Sequence, residues 1–144
     1  MSKTKRKKFV LGSIAAVAVI IILVIVVSIF FPRTADLSFA DTIVITDEYD
    51  EKTVELSEEK DKEDFDKIMS LCNKREVCDP FSIPACLFEE YKLEFKKGGK
   101  SVTVYPSNDG CDTMYMKSRF NEVYYYIDVN QKTELNKILD DITK

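Results

Sequence analysis

The 144-residue sequence contains no histidine and no tryptophan, and only four glycines and four prolines. Without His it cannot build a Ser-His-Asp triad, a Cys-His nucleophile pair or an imidazole metal ligand. Acidic residues are missing from positions 1–33, which hold six of the 21 Lys and Arg residues: Lys3, Lys5, Arg6, Lys7, Lys8 and Arg33. All 25 Asp and Glu residues fall in 34–144, which therefore carries a net charge of −10. That sign excludes nucleic acid as a partner, because such binding rests on neutralising phosphates. A C-x-x-C redox motif is absent. The four cysteines are separated by five, seven and 24 residues, not by the two to four of a paired zinc-ligand set.

One long apolar stretch stands out. Phe9 to Phe31 is an uncharged run of 23 residues, interrupted only by Gly12, Ser13 and Ser28. A helix needs about 20 apolar residues to cross a hydrocarbon core, so 9–31 is expected to be a transmembrane helix. In lipid the helix is the conformation that satisfies the backbone, which overrides the weak helix preference of its β-branched residues. Five positive charges precede the run and Arg33 alone follows it closely. The positive-inside rule then puts the basic segment 1–8 in the cytoplasm and the chain from 32 onward outside the cell membrane. A cleaved signal peptide has an apolar region of only about 7–15 residues, and the best cleavage site, Ser38-Phe39-Ala40, lies far from the run. An uncleaved signal-anchor is therefore expected. Gly12 and Ala16 form one small-xxx-small pair, too little to specify self-association.

Pro32 ends the apolar helix, and residues 32–39 read as a linker to an extracytoplasmic domain over 40–144. Ala40–Thr46 and Lys52–Leu56 alternate as two antiparallel strands around the acidic turn Asp47-Glu48-Tyr49-Asp50-Glu51. Phe65, Ile68, Met69 and Cys72 then fall on one helical face between Asp61 and Asn73. Acidic residues open that helix and Lys74 and Arg75 follow it, as the helix dipole favours. Residues 74–90 form an irregular excursion with Pro80 and Pro84. Tyr91, Leu93 and Phe95 begin a hairpin that turns at Gly98-Gly99 and returns through Val102 and Val104. Thr113–Met116 and Glu122–Val129 read as strands. Asn130 is the expected cap of a last helix that buries Leu135, Ile138, Leu139 and Ile142. The expected fold class is α+β, a mostly antiparallel sheet with two helices on one face.

All four cysteines lie on the expected outer side, where disulfides persist. Sequence leaves three pairings open. The local choice closes Cys78 on Cys86 around the prolines and leaves Cys72 to meet Cys111. The acid-rich segments 47–51 and 58–66 do not match a calcium loop and lack its glycine, so they are expected to be solvated. In Tyr124-Tyr125-Tyr126 the outer two share a face, and an exposed Tyr125 beside Tyr115 is the expected partner patch. No catalytic, cofactor or metal residue emerges.

The Ile43–Asp47 stretch, the Phe65–Leu71 helix face, the Tyr91–Phe95 strand before Gly98-Gly99, and Tyr125-Tyr126-Ile127-Asp128 leading into Leu135–Leu139 carry a resemblance. In the order of these segments the chain resembles small exported domains of Gram-positive bacteria, anchored by a helix or a lipid and without assigned activity. Its four cysteines depart from that pattern. The resemblance implies no catalytic residue. The expected function is that of a non-enzymatic, membrane-tethered domain binding a protein or a cationic peptide. The alternatives are a small carboxylate-dependent hydrolase and an accessory or immunity-type protein acting through its transmembrane helix.

Overall fold

Strict alternation decides where the sheet faces. In Thr42–Asp47 the buried residues are Ile43, Ile45 and Asp47, and in Tyr91–Lys97 they are Tyr91, Leu93 and Phe95. Successive strand residues point to opposite faces, so each of these strands buries one row and turns the other away. A computed structural model of the chain describes residues 17–27, 36–78, 90–117 and 122–144. The chain divides into two units, Met1–Arg33 and Thr34–Lys144.

In the first unit the described residues 17–27 form a helix, α1, whose side chains are all exposed. Among the described residues no helix is long and apolar enough to cross a membrane. The rest of the expected transmembrane run, 9–16 and 28–31, lies outside the described residues, as do the basic segment 1–8 and residues 28–35.

The second unit is α+β. Its strands are β1 (Thr42–Asp47), β2 (Lys52–Ser57), β3 (Tyr91–Lys97), β4 (Lys100–Pro106), β5 (Thr113–Lys117) and β6 (Glu122–Tyr126), with helices α2 (Lys62–Cys72) and α3 (Val129–Thr143). They make one six-stranded sheet in the order β2-β1-β3-β4-β5-β6, every neighbouring pair antiparallel. The chain thus leaves the sheet after β2, runs through α2, and returns to β3 on the other side of β1. Ile43, Ile45, Leu56, Leu93, Phe95, Val104, Met114, Met116 and Tyr125 form the covered face. Phe65, Ile68, Leu71 and Cys72 of α2 and Leu135 and Leu139 of α3 pack on it.

Polar side chains close the ends of these elements. Arg75 donates from Nε to the carbonyl of Leu71 and from Nη2 to that of Ser70, satisfying carbonyls the last turn of α2 leaves unpaired. Its Nη1 reaches Gln131 Oε1 at 2.6 Å and so ties α2 to α3. The N-cap of α3 is Asp128, not Asn130: its carboxylate accepts the Asn130 N–H at 2.9 Å. Because Asp128 takes that role, β6 stops at Tyr126 instead of running to Val129. Lys52 Nζ donates to the Thr143 carbonyl at 2.9 Å and completes the C-terminal end of α3.

Both edges of the sheet are modified. Glu76–Cys78 adds to β6 through Tyr126 N–H to the Glu76 carbonyl and Cys78 N–H to the Tyr124 carbonyl. At the β2 edge the Ser57 N–H is bonded to Asp61 Oδ2 and its carbonyl accepts the Asp61 N–H. Such capping limits pairing with a foreign strand.

The segment read as linker is partly core. Leu37 is 1% exposed and Ala40 is buried, and the Leu37 N–H donates to Asn73 Oδ1 at 2.8 Å. Asp41 N–H continues onto the Lys96 carbonyl. The chain is therefore seated from Leu37 onward. Four residues lie between Phe31 and Asp36, five steps of chain that reach at most about 18 Å. Leu37→Ala should destabilise the domain by about 3 kcal/mol, since it empties a filled core position. Glu55→Ala, on the exposed side of β2, should change stability by less than about 0.5 kcal/mol. Urea denaturation of the full chain in detergent, followed by circular dichroism, measures both.

Candidate interaction surface

The face of the sheet opposite the helices carries the other row of every strand. One register line across it runs Glu55, Val44, Glu94, Thr103, Lys117 and Glu122. Its charges pair along the face. Lys92 and Lys96 each reach Glu94 at 2.6 Å, and Lys117 reaches Glu122 at 2.9 Å. Lys92 and then Lys96 hold the Glu94 carboxyl below the usual carboxylate range. On the β4–β6 side Tyr105, Tyr115 and Tyr124 stand directly opposite one another. Their ring centroids are 5.6 and 5.2 Å apart. Aromatic cross-strand pairs at this spacing stabilise a sheet. Burial, together with a hydrogen bond to Glu122, raises the Tyr115 hydroxyl well above its ordinary range.

This corrects the expected partner patch. Tyr125 is 3% exposed and lies on the helix-covered face, so it does not stand beside Tyr115. The neighbours of Tyr115 are Tyr105 and Tyr124. In β6 the exposed aromatic is Tyr126, at 49%.

The two ends of the sheet carry different groups. At one end lie the β1–β2 turn, Glu90, the turn 107–112 and α3. Asp47 Oδ1 accepts the N–H groups of Tyr49 and Asp50, and Glu51 takes a left-handed conformation. The turn thereby projects Glu48, Asp50 and Glu51 into solvent around Tyr49, which is 67% exposed. None of these three carboxylates has an ion-pair partner among the described residues. Lys52, which follows the turn, is committed to the fold at the Thr143 carbonyl, and on the β4–β5 side of the sheet Lys132 enters a buried cage.

That cage was not visible in the sequence. Lys132 is 5% exposed, and its ammonium donates to Ser107 Oγ and to the carbonyls of Asp109 and Cys111. Three donors meet three acceptors, which is what a buried ammonium requires. The expected stripe of α3 accordingly rotates: Lys132, Leu135, Leu139 and Thr143 are buried, while Ile138 and Ile142 are half-buried.

The inward carboxylates are likewise occupied. Asp47 holds its turn, Asp61 holds Ser57, and Asp140 accepts the Tyr91 hydroxyl. At the opposite end of the sheet Asp41, Thr42, Ser57, Glu58, Glu59 and Lys97 line a shallow groove of about 420 Å³. Among the described residues no group of three or more Cys, Asp or Glu side chains is placed to hold a metal ion.

The cysteines also depart from expectation. Cys72 and Cys78 are buried free thiols, so neither the Cys72–Cys111 nor the Cys78–Cys86 bridge forms. The Cys72 sulfur is sealed in the apolar core under α2, whereas Cys111 stands in the turn held by Lys132. Cys111 is disulfide-bonded, and Cys86 lies outside the described residues. Burial pushes the Cys72 thiol up to about 12 from an ordinary 9.0. The folded state prefers the neutral thiol, so the stability gained this way is complete below about pH 9. It is lost as pH rises toward 12. In the native full chain at neutral pH, alkylation should leave Cys72 and Cys78 unmodified. After unfolding without reductant those two should react, and Cys111 only after reduction. Peptide mapping reads all three; modification of Cys72 in the native chain would contradict its burial.

The chain matches no protein-family model, no curated protein and no solved structure.

Proposed function

We propose that this chain is a single-pass, membrane-tethered interaction domain, non-enzymatic, with its N-terminus in the cytoplasm and residues from Thr34 onward outside the cell. The apolar run Phe9–Phe31 with its basic flank supports the anchor and the orientation. The observation that carries the binding role is the unpaired acidic turn. Glu48, Asp50 and Glu51 surround an exposed tyrosine at the end of the sheet opposite the one the chain joins at Asp41. A partner of opposite charge, a cationic peptide or a basic protein face, fits that turn. Charge of this kind raises association rates and specificity more than it raises affinity.

A carboxylate hydrolase needs two acids whose environments differ, converging on a deep cleft. The inward-facing Asp47, Asp61 and Asp140 instead spend their oxygens on backbone amides and a tyrosine hydroxyl. The interaction reading therefore accounts for more of the acidic residues than catalysis does.

Two measurements test it. Protease added to spheroplasts should digest the chain beyond Thr34 while the Lys3–Lys8 segment stays protected. A soluble fragment beginning near Asp41 without added protease would sink the anchor. With the full chain in phosphatidylcholine nanodiscs, a lysine-rich probe peptide should associate about tenfold more slowly at high than at low ionic strength. The Glu48→Lys, Asp50→Lys, Glu51→Lys triple variant should lose that salt dependence. A wild-type on-rate indifferent to salt would contradict the acidic turn as the docking site.

A further inference from the structure

β2 is an end strand of the sheet, with β1 as its one neighbour among the described residues. Along a strand, the backbone groups of successive residues alternate between its two sides. Glu58 N–H bonds to the Asp41 carbonyl on the β1 side, and Ser57 N–H bonds outward to Asp61 Oδ2. Thr53 and Glu55 share the phase of Ser57. Their N–H and C=O groups therefore point away from β1, with no partner among the described residues. Asp61 caps Ser57 alone. Between Lys52 and Leu56 the usual guards of an edge strand are missing, since there is no proline and no bulge. The lysine there is not free either, because Lys52 Nζ is bonded to the Thr143 carbonyl. The β6 edge, by contrast, is filled by Glu76–Cys78. Charge selects what can pair with the open edge. Glu48, Asp50, Glu51, Glu55, Glu58 and Glu59 are all exposed, and none has an ion-pair partner among the described residues. A second copy pairing antiparallel about Val54 would set Asp50 opposite Glu58, and like charges directly opposed destabilise a sheet. A basic strand meets the reverse.

From these observations we infer that the outer edge of β2 takes up an extended cationic peptide as a seventh, antiparallel strand. The inference rests on the proposed docking of a cationic partner and supplies its binding mode. The partner residues facing Thr53 and Glu55 exchange both backbone hydrogen bonds with each, which gives affinity without regard to side chain. Side chains then select. Directly opposed residues share a face, so a lysine or arginine opposite Glu55 lies beside its carboxylate. A second basic residue four positions further on reaches Glu51, where the acidic turn begins. The residue opposite Val54 lies on the helix-covered side, next to that half-buried valine, and is apolar. The edge thus takes a strand with two basic residues four apart and an apolar residue after the first.

The probe is the end-blocked peptide Lys-Val-Thr-Val-Lys, titrated into the full chain in phosphatidylcholine nanodiscs and followed by NMR. Without peptide, the amides of Thr53 and Glu55 should exchange at least about tenfold faster than those of Val54 and Leu56, which bond to β1. Saturating peptide should slow exchange at Thr53 and Glu55 by at least about tenfold. A second peptide of the same charge is N-methylated at its first lysine and its threonine, the residues that face Glu55 and Thr53. It cannot donate to the edge and should bind at least about tenfold more weakly. In the chain, Thr53→Pro removes one outward donor, leaves the β1 ladder intact, and should weaken the parent peptide about fivefold. Slow exchange at Thr53 and Glu55 before peptide is added would show the edge already occupied and overturn the inference. Equal affinity for the two peptides, both weakened by salt, would also overturn it and leave the acidic turn as a docking site read by charge alone. Binding of neither peptide would overturn both readings.

Discussion

The seating of Leu37 is the constraint on which the rest of the arrangement depends. A linker that merely trailed from the sheet would let the domain present any surface to any side. Leu37 instead fills a core position, its amide is taken by Asn73 at the end of α2, and Asp41 passes directly into pairing with β3. Burying a leucine side chain contributes about 1.5–3 kcal/mol, enough to keep the segment docked against the entropy of a short chain. The segment before β1 is thereby part of the folded unit, held at the end of α2 and continuous with the β1–β3 pairing.

The polar residues follow from that geometry. An antiparallel sheet covered on one face must turn its second row of side chains elsewhere, and here the row consists of paired Lys and Glu and a run of stacked tyrosines. Exposed pairs of this kind add little stability each, but they leave the face nearly neutral. Net negative charge is therefore concentrated at the turns. Lys52, which would offset it at the β1–β2 turn, is drawn onto the Thr143 carbonyl instead. The acidic character of that end results as much from where its cations went as from how many acids it holds.

The sheet was legible because its strands alternate and its hairpin turns on glycine. The order of two strands, a helix, four strands and a final helix follows from period alone, while most of the expected excursion over 74–90 lies outside the described residues. Element ends were harder to place, since they depend on single hydrogen bonds. Asp128 outcompetes Asn130 as the cap of α3, and β6 shortens accordingly. The surface differs at Tyr125 because alternation fixes which residues of one strand share a face but not the β5–β6 register, which sets Tyr115 against Tyr124 and Tyr125 against Met114. The sulfur pairing was unreadable for a related reason. Whether a cysteine on a helix's apolar stripe meets a partner depends on which strand lies over it, and Cys72 meets core side chains. Lys132 is not legible because a lysine is ordinarily solvated, and nothing local announces three acceptors from a turn 21 to 25 residues earlier.

The seating of Leu37 is most directly tested by the exchange of its own amide. In the full chain held in a membrane mimetic, hydrogen exchange at Leu37 should be as slow as at Ile43 and Leu93, opening only when the whole domain unfolds. Exchange at the rate of a free linker, with Ile43 and Leu93 still protected, would contradict the account. It would show that the segment before β1 is a loose tether and not part of the core.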